Sequence, residues 1–123
     1  MKKLFATLLL FGLSSALPAK ASPAAEACIN SLFKRSEDAP ESASLLVTVD
    51  HAGSQYHAIK QTFVAPRPDM EADGMVYIRT DASGGCEKLL TYQMGSFPDE
   101  RVYNEKLGPE VNRKITEAFK QQR

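Results

Sequence analysis

The sequence has no tryptophan, and only two histidines and two cysteines among its 123 residues. Each scarcity excludes something. His51 and His57 are the only imidazoles, so a metal centre built on histidine starts one or two ligands short of the usual three or four. No Cys-x-x-Cys occurs, which removes the common dithiol redox motif. No Gly-x-Ser-x-Gly elbow occurs either, and serine hydrolase chemistry needs a nucleophile, a base and an orienting acid in contact. Excess charge is also missing: 15 basic residues face 15 acidic ones. A nucleic-acid binder would show a basic stripe, and none is present. The longest apolar run, residues 4–17, is shorter than the roughly 20 residues that span a bilayer as a helix. No later run approaches that length, so no transmembrane segment is expected in the mature chain.

What that first run does fit is an export signal. Lys2 and Lys3 precede it, and small residues follow. Ala19-Lys20-Ala21 has the small-x-small pattern of a signal-peptidase site, which predicts cleavage before Ser22; Ser14-Ser15-Ala16 is a second match to that pattern. The expected organisation is a secretory signal peptide at 1–21 and one small domain at 22–123. Removing Lys2, Lys3 and Lys20 leaves 12 bases against 15 acids, a net charge of −3. The acids crowd the middle: nine lie between Glu37 and Glu87, with only Lys60, Arg67 and Arg79 to oppose them. The expected location is therefore periplasmic or secreted.

Two cysteines in an oxidising compartment read as one disulfide, Cys28–Cys86. It would close a loop of about 58 residues and contribute about 4 kcal/mol in the chain-entropy picture. Lipidation of Cys28 fits less well, because Glu26 places a charge just before it and the apolar run ends well upstream.

The chain predicts an α+β domain: an N-terminal helix, a four-stranded antiparallel β-meander, then one or two C-terminal helices. Ser22 and Pro23 open the first helix, and Ala25, Cys28, Ile29, Leu32 and Phe33 recur at helical spacing. Strands are expected at 45–49, 56–64, 75–80 and 86–94. On simple alternation, Cys86, Leu90, Tyr92 and Met94 share one face of the last strand, so the disulfide would pin the helix to that face. The second strand alternates imperfectly, which predicts a bulge or two partly wet faces. Residues 96–107 suit a short helix. Gly108 can end it, and Pro109 can start another with Val111, Ile115, Ala118 and Phe119 as its docking stripe.

Candidate sites are few. With a three-residue loop at Gly53, Ser54 and Gln55, His51 and His57 would face each other across the first hairpin, a weak metal pair without further ligands. Asp69, Glu71, Asp73 and Gly74 alternate as in a calcium loop, but the glutamate of the twelfth position is missing. Gly84-Gly85 precedes a strand and not a helix, which suits a turn and not a phosphate cradle. No cofactor is implied. The segment 65–74 is long for a hairpin connection, stiffened by Pro66 and Pro68, and charged by Asp69, Glu71 and Asp73 around Met70. Those six residues are the expected partner-contact loop.

These features together predict an exported, non-enzymatic protein-binding domain. Its partner would be another protein: an envelope machine that it helps assemble, or a basic enzyme that it inhibits. The rival reading is a small-ligand or metal carrier, with Tyr56, Tyr77 and Tyr92 as polar handles in an apolar pocket.

Overall fold

The computed structural model describes residues 19–33, 42–62, 73–93 and 95–122. The element order is α1 (Pro23–Leu32), β1 (Ser42–His51), β2 (Ser54–Thr62), β3 (Asp73–Asp81), β4 (Cys86–Gln93), α2 (Glu100–Leu107) and α3 (Pro109–Gln121). The four strands form one antiparallel sheet in sequence order, β1-β2-β3-β4. This is the α+β meander expected from the sequence, with one helix before the sheet and two after it.

Local chemistry sets the boundaries. Ser22 caps α1 by accepting the Ala25 N–H at 3.1 Å, and Pro23 occupies its first turn. Asp99 does the same for α2 from the Val102 N–H, so that helix begins four residues later than the sequence pattern alone suggests. Gly108, at φ 91°, separates α2 from α3. Ala52 and Gly53 both have positive φ, 51° and 84°, as a two-residue type I′ hairpin turn requires.

The sheet is covered on both sides. On one side, α2 lies over β4 and α3 over β1. Val47, Val49, Ala58, Met75 and Tyr77 of the sheet pack there against Leu107, Val111, Ile115 and Ala118. On the other side, α1 lies across β3 and β4, and Ile29 meets Ile59, Val76 and Ile78. The imperfect alternation of β2 follows from this. His57, Ala58 and Ile59 are consecutive and all buried because each face of the strand has its own cover.

The bulges lie in the outer strands. Leu45 pairs with Ile59 while Val47 pairs with Ala58, which leaves Leu46 as the extra residue of β1. Tyr77 pairs with Leu90 while Ile78 pairs with Lys88, so Leu89 is the extra residue of β4. The second bulge corrects one expectation. Cys86 joins the α1 cluster, but Leu89, Leu90 and Tyr92 all pack on the α2/α3 side. The disulfide therefore pins α1 to the face opposite the one that Leu90 and Tyr92 occupy. It does join the first helix to the fourth strand, with Cys28 and Cys86 Cα atoms 6.0 Å apart. Met94 lies outside the described residues.

Candidate functional site

The bulge at Leu89 also builds the most distinctive side-chain cluster of the domain. It turns Tyr92 toward the α2/α3 side, beside Tyr77 of the neighbouring strand. Their rings stack with centroids 6.3 Å apart and planes 26° from parallel. Tyr103, near the middle of α2, meets both edge-on, at 5.9 Å from Tyr77 and 6.1 Å from Tyr92. Its hydroxyl donates to the Tyr92 hydroxyl at 2.9 Å. The chain then turns at Gly95, φ 95°, where the Ser96 N–H returns to the Gln93 carbonyl at 3.0 Å. That turn brings Phe97 back onto Tyr92, centroid to centroid 5.7 Å. Phe97 is nevertheless 63% exposed, the largest exposure among the large apolar side chains described.

The electrostatics of the cluster are neutral. Burial pushes the Tyr77 and Tyr92 hydroxyls up to about 12, and burial also raises that of Tyr103. At ordinary pH these groups exchange hydrogen bonds and carry no charge, so the cluster is not a general base. Rings in edge-on and stacked contact are rigid and have an apolar body with a polar tip, a composition enriched where proteins meet proteins.

The two edges of the sheet differ. On β1, the carbonyls of Leu46, Thr48 and Asp50 fall at every second residue, and each accepts from outside the sheet. The donors are Gln122 Nε2 at 2.7 Å, the Ala19 N–H at 2.6 Å and Lys114 Nζ at 2.9 Å. On β4, the Gln93 carbonyl is met by Ser96, and no other hydrogen bond from outside the sheet reaches the strand's backbone among the described residues. The part of β4 beside Tyr92 and Phe97 thus has fewer outside partners than β1 among the described residues.

The residues singled out in the sequence fall elsewhere. Pro66, Pro68, Asp69, Met70 and Glu71 lie outside the described residues. Asp73 opens β3 and forms a half-buried ion pair with Lys60 at 3.5 Å. The expected opposition of His51 and His57 is corrected. The turn has two residues and not three, so His51 pairs with Ser54 and His57 with Thr48. The histidines consequently point to opposite faces. His51 meets Tyr56 edge-on, centroids 6.2 Å apart. His57 is fully buried with both ring nitrogens engaged, Nδ1 by Thr48 Oγ1 at 2.9 Å and Nε2 by Thr80 Oγ1 at 2.8 Å. No group of three or more His, Cys, Asp and Glu converges among the described residues.

The site expected from the sequence does not include Phe97 or Tyr103. The available signal was a single aromatic residue between Gly95 and Pro98, in a stretch too short to dock it into the core. No known protein family matches the chain, and no curated protein and no solved structure shows significant similarity to it.

Proposed function

We propose that this is an exported, non-enzymatic protein-binding domain whose contact surface is the corner formed by Phe97, Tyr92 and the adjoining edge of β4. The observation that carries this reading is the exposed Phe97 ring, held against Tyr92 at the end of an edge whose backbone, among the described residues, is met from outside the sheet only at Gln93. An isolated exposed aromatic needs no explanation. One held against a three-tyrosine platform, beside strand backbone that no described residue outside the sheet engages before Gln93, offers both an apolar anchor and strand hydrogen bonds. Those are the two components of recognition by strand addition.

The bulge limits how the edge is used. Bulges and charged residues blunt edges against indiscriminate pairing, and β4 carries Glu87, Lys88 and the Leu89 bulge in its first half. The half from Leu90 to Gln93 is regular and lies nearest Phe97. The partner would add a short extended segment there and seat an apolar side chain against Phe97 and Tyr92. The Cys28–Cys86 disulfide and the basic, apolar leader support a periplasmic or secreted setting. No helix among the described residues is long and apolar enough to cross a membrane.

The carrier reading has less support. Two hollows bounded by described residues measure about 170 and 210 Å³, below the roughly 300 Å³ at which small-molecule pockets begin. Of the three tyrosines suited to line a pocket, Tyr77 and Tyr92 are stacked on each other. Replacing Phe97 by Ser tests the proposal. The variant should melt with the parent but lose capture of the envelope protein that the parent retains. Equal capture by both would refute the corner as the contact surface.

A further inference from the structure

Three residues upstream of α1 are built into the domain. The Ala19 N–H donates to the Thr48 carbonyl on the outer edge of β1, at 2.6 Å. The Lys20 carbonyl accepts from Gln55 Nε2 at 3.0 Å, and Gln55 Oε1 accepts the Ser22 N–H at 3.0 Å. Gln55 Nε2 also reaches Asp50 Oδ1 at 3.0 Å, so one β2 side chain ties the segment to β1 as well. Ala21 is only 7% exposed, and its neighbours line a hollow of about 210 Å³ against Leu45, Leu46, Val47 and Thr48.

We infer that residues 19–21 stay in the exported protein as a strap sealing the β1 edge, and that the leader is cut N-terminal to them, at the Ala16–Leu17 bond. This rests on the export reading above. A cut before Ser22 would remove the Ala19 donor, leaving the Thr48 carbonyl bare between two carbonyls that remain covered. It would empty the Ala21 site. It would also place a new α-ammonium on Ser22, the cap of α1, where the positive end of the helix dipole disfavours it. A cut after Ala16 keeps every one of these contacts and puts the new charge five residues upstream. Ser14-Ser15-Ala16 presents the small-x-small pattern for it; this position lies outside the described residues and is read from sequence alone. The hydrolysis consumes one water. The Ala16–Leu17 amide bond breaks, the hydroxyl bonds to the Ala16 carbonyl carbon, and the proton goes to the Leu17 nitrogen. With the strap retained, the β1 edge is closed, and among the described residues β4 is the edge left to a partner.

The test is to express the full chain in a Gram-negative host and to measure the intact mass of protein from the envelope fraction. The expected product begins at Leu17. A product beginning at Ser22, or anywhere past Ala19, overturns the strap while leaving export intact. An uncut chain retained in the cytoplasm overturns both readings. A second measurement reads the strap itself. In protein beginning at Leu17, the Ala19 amide should exchange at least tenfold more slowly than in the Gln55→Ala variant. Equal exchange in the two would show that Gln55 does not hold residues 19–21 in place.

Discussion

His57 Nε2 lies 2.8 Å from Thr80 Oγ1, two strands away from the Thr48 hydroxyl that engages its other nitrogen. The ring is sealed between β1 and β3 beneath the α1 side of the sheet. Its pKa is lowered from 6.5 to about 4, chiefly because burial disfavours the charged form, with Asp50 opposing weakly. The native ring is therefore neutral, whereas the unfolded one takes a proton below 6.5. Stability is fully present above pH 6.5 and falls as pH drops toward 4, by up to about 3 kcal/mol. Urea midpoints between pH 7.5 and 5.5 should show this slope, and a His57→Gln variant should be nearly flat over that range. A parallel slope in both proteins would contradict the buried neutral histidine.

The disulfide carries α1. That helix has ten residues and buries only Ala25 and Ile29 from its own length, too little to hold it firmly without the covalent tie. Replacing Cys86 by Ser should lower stability by about 4 kcal/mol. It should also increase binding of a hydrophobic dye as Ile59, Val76 and Ile78 lose their cover. A variant that melts within a few degrees of the parent would show that noncovalent packing suffices.

Ala52 occupies the left-handed region at φ 51°, which disfavours a side chain with an ordinary Cβ. Asn is far better suited to the first position of this turn, followed as it is by Gly53. Ala52→Asn should raise stability by about 0.5–1 kcal/mol. For a domain of this size that corresponds to a few degrees in Tm, read by calorimetry. The same scan on Gly53→Ala should show a loss.

The α3 stripe is core. Val111, Ile115 and Ala118 are buried against β1 and its neighbours, as their spacing indicated. Ile115→Ala should cost about 2–5 kcal/mol in chemical denaturation, whereas Thr116→Ala on the exposed side should change little.

Much of this fold is legible in the sequence because local signals and burial agree. Ser22-Pro23, the β-branched run at 45–49, and the Gly108-Pro109 boundary each specify one element. What sequence periodicity misses is anything that changes register. One extra residue at Leu89 reverses the parity of β4, so Cys86 and Leu90 part company although their spacing is even. One residue fewer in the first hairpin separates His51 from His57 in the same way. The aromatic corner is hidden for a related reason. Tyr77, Tyr92 and Tyr103 come from three different elements and Phe97 from the connection between β4 and α2, and only the bulge and the Gly95 turn bring them together.

Removing the Tyr103 hydroxyl isolates the platform from its rim. Tyr103→Phe loses the 2.9 Å bond to Tyr92 and should cost about 0.5–1.5 kcal/mol. In the parent, phenolate absorbance from Tyr77 and Tyr92 should appear only near pH 12.

Partner docking at the Phe97 corner is the central proposal. A photo-reactive phenylalanine analogue placed at position 97, in the full chain expressed in its native envelope, tests this directly. A control carries the analogue at Thr116, on the exposed side of α3. One discrete crosslinked protein is expected from position 97, lost when excess unlabelled parent competes and retained when excess Phe97→Ser variant competes. No crosslink at 97, or the same products from 97 and 116, would contradict it.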